Sequence, residues 1–129
     1  MLRKTFGAMA IATSMFALPA LAHHSFAMFD ADKTVTLNGT IKEMEWINPH
    51  VWVHLMAQDQ SAGKVVQYSF EAGSVAQVAA RGWKIDSLKP GDKVAVDFHP
   101  LKDGSHGGQI VTITLPDGTK LSQGRDAAP

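Results

Sequence analysis

From residue 35 onward, apolar residues return at every second position in five short runs, the pattern of half-buried strands. In the first run, from about Val35 to Ile47, Val35, Leu37 and Ile41 share one parity while Met44 and Trp46 take the other. That change of phase predicts a bulge or bend between Ile41 and Met44, with Gly39 as a second weak point. Asn48-Pro49 signals a turn. His50 to Ala57 then sets Val51, Val53 and Leu55 on one face, and His50, Trp52, His54 and Met56 on the other. The polar stretch from Gln58 to Lys64 reads as a hairpin loop. Val66, Tyr68 and Phe70 alternate along a third strand, with Val65, Gln67 and Ser69 facing away.

The period then changes. Ser74 is a good N-cap, Val75, Val78 and Ala79 fall at helical spacing, and Gly82 closes the segment, which predicts one short helix. After Trp83 and Ile85, the words Ser87-Leu88-Lys89-Pro90-Gly91-Asp92 form a turn. Val94, Val96 and Phe98 mark a fourth strand, and Val111, Ile113 and Leu115 a fifth. Between them, Lys102 to Gly108 reads as a flexible hairpin tip, and Pro116-Asp117-Gly118 is another turn. Three strands, a helix and two strands is the order of the OB-fold, a mainly β, five-stranded Greek-key barrel with one short helix between strands 3 and 4. Closure also removes exposed sheet edges. An open β-sandwich or a β-roll fits the same order.

Residues 1–22 stand apart from this alternation. Arg3 and Lys4 precede an apolar run from Phe6 to Leu18, Pro19 ends it, and Ala20-Leu21-Ala22 gives a small-residue cleavage pattern. The order of these zones predicts a secretory signal peptide cleaved between Ala22 and His23, hence a periplasmic or secreted protein. The apolar run is shorter than the roughly 20 residues that span a bilayer, so no membrane span is expected after cleavage. The remaining chain divides into one domain over residues 23–121 and a tail over residues 122–129, too poor in apolar side chains to pack and expected to be disordered. The chain has equal numbers of basic and acidic residues, and the leader takes Arg3 and Lys4 with it. A slightly acidic domain is a poor partner for nucleic acid. With no cysteine, the domain has neither disulfides nor thiolate metal sites.

Five local words add to this picture: His23-His24-Ser25-Phe26, Trp46-Ile47-Asn48-Pro49-His50-Val51-Trp52, Arg81-Gly82-Trp83, Ser87-Leu88-Lys89-Pro90-Gly91-Asp92 and Phe98-His99-Pro100-Leu101-Lys102-Asp103-Gly104. Together, and in this order, they resemble a family of small exported bacterial proteins of unknown function, over His23 to about Leu121. The resemblance implies a family and a compartment and names no catalytic residue. The family's pattern has a proline where this chain has His106, so no role is assigned to His106.

Candidate chemistry gathers at two places. Cleavage at His23 exposes an α-amine on a histidine followed by His24, and such a nitrogen-rich terminus favours Cu(II) among divalent metals. A mobile, solvated terminus is the plainer reading. Across the first two strands, Glu43 and Glu45 are expected to share the outer face with His50, Trp52, His54 and Met56, and a two-residue Asn48-Pro49 loop sets Glu43 across from His54. Carboxylate and imidazole in contact suit metal ligation or proton transfer, and they also make an ordinary cross-strand pair. His50 and His54 lie roughly 13 Å apart along a strand, too far to share one ion. A metal site would take one of them, with Glu43, Glu45, His23, His24 or His99 completing the shell. Met28, Met44 and Met56 are too scattered for a thioether site.

No serine sits in a nucleophile-elbow context and no glycine-rich loop opens a helix, so no catalytic motif is present. Two functions remain as expectations. One is a periplasmic metal-binding protein, for copper, using the amino-terminal histidines with help from the barrel face. The other is a non-catalytic module that binds a small ligand, glycan or envelope protein, with Trp52 and Trp83 as stacking surfaces.

Overall fold

The computed structural model describes residues 26–59, 61 and 63–123. The expected leader, with His23 and His24, lies outside the described residues. So do residues 124–129 of the expected tail.

Strand β1 spans Val35–Glu45 and serves two neighbours. Its first half, from Val35 to Thr40, pairs antiparallel with β4 (Lys93–Pro100), and its second half, from Thr40 to Glu45, pairs with β2 (Trp52–Gln58). The change of partner is a corner, and two sequence features make it. The register slips between Ile41 and Glu43, so Lys42 has no residue opposite. This is the bulge that the parity change predicts. Gly39 lies against β2, where a Cβ would come 2.6 Å from the Met56 carbonyl oxygen and 2.7 Å from Leu55 Cγ. Only a residue without a side chain allows so close a crossing.

The hairpin partner β3 (Val65–Glu71) runs antiparallel to β2, and β5 (Gly107–Thr114) runs antiparallel to β4. Three parallel pairs, Ser69 with Gly107, Phe70 with Gly108 and Glu71 with Gln109, join β3 to β5. These pairs close the sheet. The order β1-β2-β3-β5-β4 returning to β1 closes the expected five-stranded barrel, here a mixed one, with helix α1 (Val75–Ala79) between β3 and β4. Side chains of alternate residues fill the interior, among them Leu37, Ile41, Val53, Leu55, Phe70, Val96, Phe98 and Ile113. Burying each contributes about 1.5–3 kcal/mol. The rings of Phe70 and Phe98 meet at 4.7 Å across the closing seam.

Helix α1 has a capping box: Ser74 Oγ accepts from the Gln77 amide while Gln77 Oε1 accepts from the Ser74 amide. Gly82, at φ +89°, turns the chain so that the Trp83 amide donates to the Val78 carbonyl. That turn sends the Trp83 side chain inward, where it joins Val78 in the core at 2 % exposure.

Three features differ from the pattern-based expectation. A second register shift lies between Asp97 and Phe98 of β4, whose partners on β5 are Thr112 and Ile110, so Val111 is unopposed. Ile110 and Ile113 therefore face inward, whereas plain alternation gave Val111, Ile113 and Leu115. Gly107 and Gly108, expected in a hairpin tip, belong to β5. A sixth strand, β6 (Lys120–Ser122), pairs with β5, so Ser122, expected in the tail, is hydrogen-bonded sheet opposite Thr112.

Candidate functional site

The outer face of β1, β2 and β3 follows from the buried one. Val51, Val53, Leu55 and Ala57 are buried, so Trp52, His54 and Met56 between them point outward, and all three are half-buried there. Register then assigns their neighbours. Met56 lies between Thr40 and Gln67, His54 between Glu43 and Ser69, and Trp52 between Glu45 and Glu71. The expected opposition of Glu43 and His54 is present in the register. The side-chain contact, however, is with the diagonal neighbour: His54 Nε2 lies 3.3 Å from Glu45 Oε2. A long side chain readily reaches that diagonal position.

Side chains of β1 and β3 surround His54. Lys42 Nζ donates to Gln67 Oε1 at 2.7 Å, so the Gln67 amide nitrogen faces His54 Nδ1, 3.3 Å away. Ser69 Oγ lies 2.8 Å from the same ring nitrogen. Nε2 faces the Glu45 carboxylate, which only accepts, so Nε2 donates toward Glu45. At His50 the donor is the other nitrogen. Its Nδ1 faces two acceptors, Glu71 Oε1 at 3.2 Å and the Ala72 carbonyl at 3.1 Å. Each histidine of β2 and its approach is therefore held by a glutamate from a neighbouring strand, His54 from β1 and His50 from β3. The loop between β1 and β2 is tied down as well, since Asn48 Oδ1 accepts from the Val75 amide at the start of α1.

These residues were candidates for metal ligation, and the structure separates them into pairs. Glu45 joins His54, and Glu71, unanticipated, joins His50. His99 lies on β4, with its Nδ1 donating to the Lys33 carbonyl at 2.7 Å. Among the described residues, no group of three or more histidine, aspartate or glutamate side chains is disposed to hold a metal ion. Trp83 is also removed from the candidate stacking surfaces. It is buried, and its Nε1 donates to the Ser122 carbonyl at 3.0 Å, so its ring packs the core and anchors β6.

A second polar cluster escaped the sequence reading. His106 Nε2 lies 2.9 Å from Asp59 Oδ2, and the His106 ring meets Tyr68 edge-on at 4.9 Å. Ser61 donates to Asp59 Oδ1 from both its amide and its hydroxyl. These Ser61 bonds, with help from His106, hold the Asp59 carboxyl down at about 2. Burial, reinforced by the Asp59 charge, pushes the Tyr68 phenol up. The cluster joins the β2–β3 hairpin loop to the β4–β5 loop beside the closing seam, where the Ser69 amide donates to the His106 carbonyl. Its only sequence trace is Asp59-Gln60-Ser61, an Asx-turn signature.

No described helix is long and apolar enough to cross a membrane. A family described as a family of unknown function, DUF6152, matches residues 11–110. That match covers well over half of the chain, and the protein belongs to this family. No curated protein and no solved structure matches it.

Proposed function

We propose that this DUF6152 protein is a non-catalytic binding module, exported after cleavage between Ala22 and His23, that takes a small ligand or glycan on the outer face of β1, β2 and β3. OB-folds of other kinds use the face of strands 2 and 3, with the loops joining strands 1–2 and 4–5, to hold their ligands. The observation that carries the reading is the row Glu45–Trp52–Glu71, an indole set in register between two carboxylates. Each carboxylate is held by a histidine of β2 or its approach. An aromatic platform with a few fixed polar groups is the usual make-up of a small-molecule site. Ordering such a network on a surface costs side-chain entropy, and surface pairs of this kind return at most about 1 kcal/mol, so stability alone is a weak reason to build it.

The test is tryptophan fluorescence of the processed protein against envelope glycan and peptide fragments, repeated with Trp52→Ala. A ligand of this face is expected to lose affinity about tenfold or more with the variant, equivalent to about 1.4 kcal/mol. Binding that ignores Trp52→Ala, or no response to any fragment, overturns the reading.

A second reading rests on the sequence of the expected new terminus. Amine and imidazole nitrogens at His23 and His24 form a chelate suited to Cu(II), and it requires no ligand from the barrel. Titrating protein that starts at His23 with Cu(II) is expected to give affinity tighter than about micromolar, equivalent to about −8.2 kcal/mol, weakened by His23→Ala and by His24→Ala. Weaker binding that is indifferent to both substitutions, or a native protein that starts elsewhere, ends the copper proposal.

A further inference from the structure

We infer that the Glu45–Trp52–Glu71 row selects a small organic cation, one carrying a single alkylammonium or guanidinium group. The inference rests on the ligand-face reading and gives that face a chemical class. Register places one glutamate on each side of the indole, about 4.8 Å away at the backbone on either side. The negative face of an indole attracts cations, and the carboxylates of the two flanking strands, Glu45 beside His54 and Glu71 beside His50, add negative charge to the same face. Charge on the face has one prevailing sign. Glu43, Glu45 and Glu71 share it and outnumber Lys42, whose Nζ donates to Gln67 on the same face.

Hydrogen-bonding capacity points the same way. His54 approaches one oxygen of Glu45 and His50 one oxygen of Glu71, while an ionised carboxylate offers about four acceptor sites. What the row still presents is acceptors beside an aromatic ring. An ammonium has three donors and no acceptor, and a guanidinium has five donors and none, so either satisfies carboxylates without introducing an acceptor that finds no partner. A neutral sugar brings more acceptors than donors, since each hydroxyl has one O–H and two lone pairs, and matches the row less well. The extent of the row limits the ligand to one charged group: the next positions along β2 are His54, between Glu43 and Ser69, and Met56, between Thr40 and Gln67. Met56 has no ring, and the His54 imidazole is engaged at both nitrogens by Glu45 and Ser69, so neither offers a second indole platform. A small molecule therefore fits better than a long basic segment of another protein.

Methylguanidinium and n-butylammonium are the probes, with methylurea and n-butanol as their uncharged counterparts and a neutral chitooligosaccharide as the competing class. The readout is the indole N–H resonance of Trp52 in the processed chain. The expected result is a saturable shift with both cations, none with their counterparts, and affinity that falls about threefold or more between low and high salt as screening shortens the reach of the carboxylates. Combining Glu45→Gln with Glu71→Gln is expected to weaken cation binding about tenfold or more. If that double variant fails to fold, the salt dependence and the uncharged counterparts, both measured on the unmodified chain, still decide the matter. Equal binding of charged and uncharged probes overturns the inference. Saturation by the oligosaccharide alone overturns it but leaves the ligand face intact. Silence of the Trp52 resonance toward every probe overturns both.

Discussion

Trp83→Ala is expected to destabilise the domain by about 3–5 kcal/mol, the range for removing a buried aromatic ring from a core. The ring is almost wholly enclosed, belongs to the cluster formed by Val78, Leu88, Leu121 and the barrel interior, and holds β6 through its bond to the Ser122 carbonyl. Alanine leaves a cavity and removes the indole N–H donor from that carbonyl. Domains of this size are stable by only about 5–15 kcal/mol, so the loss is a large fraction of the whole. Thermal unfolding followed by circular dichroism should show the Tm fall by more than about 12 °C, from about 4 °C per kcal/mol at the least. Trp83→Phe keeps most of the ring and loses the hydrogen bond. It is expected to cost about 0.5–1.5 kcal/mol, the net contribution of a typical intramolecular hydrogen bond. An alanine variant that melts within a few degrees of the parent contradicts the place given to Trp83 in the core.

Gly108→Ala is the second large effect. A Cβ at Gly108 runs into the His99 carbonyl oxygen and meets the Phe98 ring at 2.7 Å. The ring can rotate, but the carbonyl belongs to the β4 backbone paired with β5, so relief requires the strands to separate. Gly107 is similar, with its Cβ directed at the Ser69 carbonyl of β3. Overpacking of this kind costs about 1–3 kcal/mol, occasionally more. The damage should appear first at the closing seam, where β3 and β5 have three residue pairs. Hydrogen exchange at the amides of Ser69 to Glu71 and Gly107 to Gln109 is expected to speed up in Gly108→Ala before exchange within β1 and β2 does. Unchanged melting together with unchanged protection at these amides contradicts the account of how the barrel closes.

The features that could be read in advance depend on local periodicity, and those that could not depend on contacts distant in sequence. Ile41 and Met44 cannot both face inward along a regular strand, so the bulge at Lys42 was visible in the apolar pattern alone. A short Asn48-Pro49 connection then set Glu43 against His54, because loop length and parity leave few registers open. The Val111 bulge has no such trace: Val111, Ile113 and Leu115 alternate cleanly, and only the pairing with β4 shows the slip. Gly107 and Gly108 look like turn residues until β3 is brought beside them. Trp83 follows a helix-ending glycine, where neither a period of two nor one of 3.6 applies, so nothing local opposed the expectation that it is a stacking surface. His106 and Asp59 are 47 positions apart in two loops, and nothing short of the closed barrel brings them together. At the candidate site, the outer-face membership of Glu43, Glu45, His50, Trp52 and His54 was legible by alternation. Glu71 was missed because it belongs to a third strand, and the glutamate partner of each histidine is a matter of side-chain reach.

Trp52 and Trp83 illustrate opposite uses of one residue type, and comparing them tests the central claim that the outer face of β1, β2 and β3 is where this protein binds. Trp52→Ala should be measured twice on the same sample, for thermal stability and for affinity toward whichever fragment the parent binds. The account predicts a Tm change far smaller than that of Trp83→Ala, together with loss of most of the affinity. Parental affinity in a folded Trp52→Ala protein contradicts it, and places the binding surface elsewhere on the barrel.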